Sequence, residues 1–131
     1  MPEKQDDQPE EIKILPAQLV GEEYCYLTTT GRISGRPHEI EIWFGINENS
    51  LYLLSGGGER SDWVKNMHAN PSVAVQIGKH TFTGTARLVL DPQEETRARH
   101  MLAAKYQGWR EGRRLSSWAR TALPVAIDLT I

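Results

Sequence analysis

The sequence predicts a mainly β fold of the α+β class: six antiparallel strands closing into a small barrel, with helices at its rim. Three observations point there. Short stretches rich in β-branched and aromatic residues alternate in polarity at 24–30, 40–46, 51–55, 73–77, 81–90 and 123–131. Glycine, proline and asparagine clusters separate several of them closely enough for hairpins. Two longer stretches, from Asp62 and from Pro92, switch to helical spacing and give the order β-β-β-α-β-β-α-β.

Residues 1–13 are polar, acidic and proline-containing without periodicity, so a disordered tail precedes a single domain over 14–131. Residues 16–23 suit a short helix with Leu19 and Val20 turned inward. The first strand runs from Tyr24 to Thr30. In the second, Ile40, Ile42, Phe44 and Ile46 alternate with Glu39, Glu41, Trp43 and Gly45, as in a sheet with one buried face. Between them Gly31 and Gly35 give the backbone freedom, and Pro37 stiffens entry to the second strand. After the third strand come Gly56, Gly57 and Gly58, then a helix with Ser61 as its expected N-cap. Asn70 and Pro71 stop that helix. In the fifth strand Phe82, Gly84, Ala86, Leu88 and Leu90 share one face. Asp91 and Pro92 open the long helix, whose stripe is Ala98, Met101, Leu102 and Tyr106, with Arg97, Arg99, His100 and Lys105 off it.

Two places suggest an anion. The turn of the first hairpin carries Arg32 and Arg36, and guanidinium forks match phosphate oxygens in paired hydrogen bonds. Solvated surface charge is the equally weighted alternative. Glycines before a helix start, here Gly56 to Gly58 before Ser61, let backbone N–H groups converge on an anion. An ordinary flexible loop is the alternative there. Trp63 reads as core, whereas Asn66 is harder to explain by packing, since a buried amide needs partners.

The motif T-T-G-R-x-S-G-x-P, a strand, a glycine-rich loop and then D-W-x-x-N-x-x-A-N-P-x-V-x-V-x-I-G resembles the deazaflavin-dependent nitroreductase family. That family lies within the split β-barrel group that includes the pyridoxamine phosphate oxidases. The resemblance spans residues 26–91 and implies a split β-barrel binding a phosphorylated deazaflavin, coenzyme F420, with FMN as runner-up. It implies a phosphate end against Arg32, Ser34, Gly35, Arg36, Pro37 and the Gly56–Gly57–Gly58 loop with Ser61. It implies a ring lying near Glu39, Ile40, Glu41, Trp43, Trp63 and Asn66. Trp43 covers the ring or the substrate, or packs against a helix. Tyr106 and Trp109, where the long helix breaks, are the candidates for the substrate side, with Tyr106 as a proton donor. Where the chain departs from the family pattern is equally plain: His38 and Glu39 stand where small or basic residues are expected, and no His-Pro pair precedes Trp63.

Composition excludes several alternatives. In 131 residues, 39% hydrophobic and 24% charged, a single core is expected. A net charge of −2 argues against general nucleic-acid binding. Cys25 is the one cysteine, which fits a reducing, cytoplasmic setting, and no apolar run reaches the ~20 residues of a membrane span. The histidines lack metal-ligand spacing, and no G-x-S-x-G elbow or phosphate-binding loop appears. A cofactor would therefore carry the chemistry. The expectation is an oxidoreductase passing hydride to a quinone, nitroaromatic or similar organic acceptor; the alternative is a non-catalytic ligand carrier. A homodimer is expected, with Trp109 and Trp118 as exposed anchors.

Overall fold

The computed structural model describes residues 17–130, so the tail expected over 1–13 lies outside the described residues. In chain order the elements are α1 (Ala17–Val20), β1 (Cys25–Thr30), β2 (Pro37–Ile42), β3 (Gly45–Asn47), β4 (Ser50–Ser55), a 3-10 turn (Gly58–Arg60) and α2 (Asp62–Ala69). Then follow β5 (Ser72–Ile77), β6 (His80–Leu88), α3 (Pro92–Gln107), α4 (Ser117–Thr121) and β7 (Leu123–Thr130).

The strands form one antiparallel sheet of seven, in the order β2-β1-β5-β6-β7-β4-β3. The expected six becomes seven because the second strand breaks. Its alternation holds: Phe44 is fully buried, and Ile40, Ile42 and Ile46 pack against the same core. Its partners change, however. β2 pairs with β1 at one edge of the sheet, and β3 pairs with β4 at the other. Only Trp43 and Phe44 separate those edges in the chain. Three peptide units reach at most about 11 Å, so the sheet curls until its edges meet there.

Changing partners costs the strand its ladder bonds, and the peptide groups of buried Phe44 must find others. Helix α3 supplies them. Tyr106 Oη accepts from Phe44 N at 3.0 Å, and its single proton lies within reach of the carbonyls of Glu23 (2.8 Å) and Phe44 (3.1 Å). Lys105 Nζ donates to Phe44 O at 3.1 Å and to Val20 O at 2.9 Å, and it lies 3.7 Å above the Phe44 ring. Burial raises the Tyr106 hydroxyl to about 12 and lowers the Lys105 ammonium. Lys105, off the apolar stripe of α3, thus turns back onto backbone, and so does Arg99. Arg99 Nη1 donates to the carbonyls of Ala119 and Ala122 and so fastens α4 to α3.

Strands β4 and β7 are buried on both faces. Leu51, Leu53, Val125, Ile127 and Leu129 fill the barrel interior, while Tyr52, Leu54 and Ala126 pack outward against Ala98 and Leu102 of α3. That is why residues 51–54 read as a continuous apolar run. Elsewhere the chain departs in detail from expectation. β6 ends at Leu88 and the backbone turns into Asp91, the N-cap of α3, which leaves Leu90 80% exposed instead of on the buried face. Val20 is also exposed, while Leu19 packs inward as expected.

Two polar clusters lock the elements together. Asn66 of α2 is buried; its Nδ2 donates to Thr29 Oγ1 at 3.1 Å, and its Oδ1 accepts from Arg32 N at 3.1 Å and Arg32 Nη1 at 2.8 Å. It therefore fixes the β1–β2 turn over α2. Arg87 of β6 forks between Asp128 of β7 (2.7 Å) and Glu94 of α3 (2.7 Å), and Tyr52 of β4 donates to Glu94. Those bonds, chiefly from Arg87, hold Glu94 down to about 2 and also lower Asp128.

Asn66→Ala should lower stability by about 1–3 kcal/mol in chemical denaturation, because it leaves the buried Thr29 hydroxyl and the Arg32 amide without their partner. Acid should also destabilise the fold. Glu94 and Asp128 have lower pKa values folded than their ordinary 4.5 and 3.8, so their contribution is present above about pH 4.5. It is lost as pH falls toward about 2, and Arg87→Met should flatten that dependence in denaturation midpoints measured from pH 6 downward.

Candidate active site

Where the sheet's edges meet, alternation turns Phe44 inward and Trp43 outward. The Trp43 indole is then held from two sides. The Tyr106 ring stacks on it at 4.3 Å with planes 2° apart, and Trp118 of α4 meets it edge-on at 5.4 Å and 86°. Trp43 and Trp118 wall a cleft of about 510 Å³, completed by Tyr24, Glu41, Ile42, Leu54 and Gln107. Of the residues expected here, Glu41 and Trp43 line it; Glu39 and Ile40 do not. Tyr106 supports the wall from behind, with its hydroxyl bonded to backbone at Phe44 and Glu23. That hydroxyl, expected as a proton donor, is engaged with backbone and raised to about 12 by burial.

A second cleft of about 670 Å³ lies along the glycine-rich loop, lined by Gly56, Gly57, Gly58, Glu59, Arg60, Ser61 and Thr121. It adjoins the first, because a Cβ on Gly56 would sit 3.8 Å from Trp118 Cδ1. Gly58 has φ +63°, which favours glycine, and a Cβ on Gly57 would fall 2.6 Å from Ser61 Oγ. Ser61 occupies the N-cap position without capping through its side chain. Its hydroxyl meets Ser55 Oγ at 2.8 Å, and Ser55 donates to Gly58 O at 3.0 Å, so the two serines brace the loop.

The arginine turn forms a third, smaller cleft of about 260 Å³ at the start of α2, lined by Gly31, Arg32, Ile33, Ser34, His38, Asp62 and Asn66. Arg32 is committed there: Nη1 to Asn66, and Nη2 to Asp62 at 3.3 Å. Ser34 Oγ accepts from Arg36 N at 3.1 Å, Gly35 supplies the turn's φ of +74°, and Pro37 begins β2. Asn66 is therefore the anchor of this turn, away from the aromatic cleft. Trp63 packs against the barrel core. Trp109 is half-buried, stacked on His100 at 4.2 Å with its Nε1 donating to Arg113 O, and does not line the aromatic cleft. Trp118 is half-buried too, so neither tryptophan is the exposed anchor expected.

Sequence reading missed Tyr24, Leu54, Gln107 and Arg60, and it placed Trp118 at an interface. The signal for Trp118 was the break at Gly108, which caps α3 with φ +66° and lets the chain return. Ser116 Oγ then donates to Gln107 Oε1 at 2.7 Å and closes the loop, bringing α4 beside the end of α3.

The donor set fits a flat ring bearing an anionic tail. Aromatic and aliphatic walls match a ring's faces, and the glycine loop offers backbone and Arg60 to an anion, with Glu59 beside them. Among the described residues no group of three or more His, Cys, Asp or Glu is arranged to hold a metal ion, and no helix is long and apolar enough to cross a membrane.

Several solved structures share the fold. A conserved hypothetical protein from Mycobacterium tuberculosis is 19% identical with a TM-score of 0.72, covering 91% of this chain and 84% of that one. An F420-H2 dependent reductase is 21% identical with a TM-score of 0.63, over 80% and 93% of the two chains. A structure described as a domain-swapped dimer is 22% identical with a TM-score of 0.63, over 80% and 79%. The family model of the F420H(2)-dependent quinone reductases matches residues 8–130. The match covers both clefts and nearly the whole sequence, and the chain belongs to this family of F420-dependent oxidoreductases.

Proposed function

We propose that the chain reduces a quinone with reduced coenzyme F420, and that the Trp43–Trp118 cleft holds the reacting rings. The continuity of that aromatic cleft with the glycine-rich loop carries the reading. When bound, the cofactor supplies a hydride. The side chains bind, orient and exclude water. Trp43 presents a flat face kept in place by Tyr106 and Trp118, and Ile42 and Leu54 add apolar wall. The Gly56–Gly58 loop, Arg60 and Ser61 take the phosphate-bearing end, in place of Arg32, whose guanidinium serves Asn66 and Asp62. Exposed Tyr24, Glu41 and Gln107 leave the cleft open to solvent, so water provides the proton that follows the hydride.

With reduced F420 and menadione under anaerobic conditions, the protein should accelerate cofactor reoxidation, followed by absorbance. Tight binding of F420 without turnover across several quinones would establish a carrier instead, and tighter binding of FMN would change the cofactor. Trp43→Ala should weaken cofactor or acceptor binding about three- to tenfold, in line with the roughly 0.5–1.5 kcal/mol of an aromatic pair, whereas Trp43→Phe should retain most of it. Pairing of two chains is also proposed, extending to this protein the dimer described for one structure of similar fold. Sedimentation at micromolar concentration should show twice the 14.8 kDa chain mass; a single monomeric species would refute it.

A further inference from the structure

The aromatic cleft is charged at one place only. Of its lining residues, Ile42, Trp43, Leu54, Gln107 and Trp118 carry no charge, and Tyr24 is neutral in its ordinary state; Glu41 is the exception. Residues 41 and 43 alternate onto the same side of the chain, which sets the Glu41 carboxylate beside the Trp43 face. The carboxylate is also held in position. Glu41 pairs in register with Tyr26 across β1 and β2, and Tyr26 Oη donates to Glu41 Oε1 at 3.1 Å. The surroundings reinforce its sign. Glu23 and Glu41 both push up the pKa of the Tyr24 hydroxyl at the same rim, Glu23 the more strongly, so the local field is negative. Among the described residues no cation forms an ion pair with Glu41.

We infer that Glu41 selects the acceptor by charge, admitting uncharged quinones and excluding anionic ones. This rests on the reading of the cleft as the acceptor site. An anionic group on a ring seated against Trp43 lies beside the Glu41 carboxylate, and at this solvent-open rim the repulsion between like charges is greatest at low salt. An anionic substituent on the acceptor meets that repulsion, and a neutral ring of the same size does not. The cofactor's own anionic end would be held apart from Glu41, along the glycine-rich loop, where Arg60 stands beside Glu59.

The test compares two naphthoquinones of similar ring size, neutral menadione and anionic 1,4-naphthoquinone-2-sulfonate. Their affinities are measured by equilibrium dialysis against protein loaded with oxidised F420, where no turnover occurs. Native protein should favour menadione, and Glu41→Gln should narrow that preference by about three- to tenfold at low salt. Glu48→Gln, which removes the same charge at the exposed turn between β3 and β4, should leave the preference as in the native protein. High salt should shrink the native preference. An unchanged ratio in Glu41→Gln, or equal narrowing in Glu48→Gln, overturns the role of Glu41 even if menadione is turned over. Failure of both quinones to bind the loaded native protein overturns the acceptor site itself, and this inference with it.

Discussion

The structure depends on how one residue's backbone is satisfied. At Phe44 the chain leaves one edge of the sheet and joins the other, and a buried peptide that has left its ladder must be bonded elsewhere. Tyr106 and Lys105, neighbours on α3, provide those bonds with a phenol and an ammonium. Their geometry has two results. It closes the curled sheet by pinning its seam to a helix, and it sets the Tyr106 ring flat against Trp43 on the outside. The wall of the cleft is thus a consequence of pinning the curled sheet to α3. A residue with this duty is poorly suited to proton transfer, because moving its proton would disturb the contacts that hold the seam.

The polar anchors divide the surface into regions with different tasks. Arg32 looks like an anion receptor in isolation, yet Asn66 and Asp62 take both its terminal nitrogens, and Asp62 adds a negative charge to the same small cleft. An anion there would have to share Arg32 with that pair. The glycine-rich loop before α2 carries one formal charge of each sign, Glu59 and Arg60, with Glu59 3.9 Å from His68. Its shape is maintained by Ser55 and Ser61, so binding need not first organise it.

Much of this was legible in the sequence. The period-2 runs gave the strands, Asp91 and Gly108 bounded α3, and alternation at 40–46 correctly assigned Phe44 to the core. Periodicity could not reveal the break after Ile42, because Ile40, Ile42, Phe44 and Ile46 stay on one side of the chain through the change of partner. Nor could it show that Lys105 and Arg99 point back to backbone carbonyls, since a long cationic side chain off an apolar stripe normally extends into water. Of the site, local motifs marked Trp43 and the Gly56–Gly58 loop. Tyr24, Leu54, Gln107 and Trp118 come together only through the sheet's register and the return of the chain after Gly108, so no local motif contains them.

The same reasoning explains how a chain with no activated nucleophile and no described metal cluster can support a reaction. Orientation of two reacting rings is worth roughly 7–11 kcal/mol when the reactive atoms are held close, provided the surface that holds them does not yield. Trp43 meets that condition unusually directly. It lies at a seam fixed by hydrogen bonds on its core side, is stacked from behind by a ring whose hydroxyl belongs to those bonds, and is buttressed by Trp118. Arg99 in turn fixes the carbonyls of Ala119 and Ala122 next to Trp118, so the buttress is tied to the same helix as the stack. Rigidity that holds the curled sheet to α3 is therefore also rigidity of the Trp43 face, the surface proposed to align the rings.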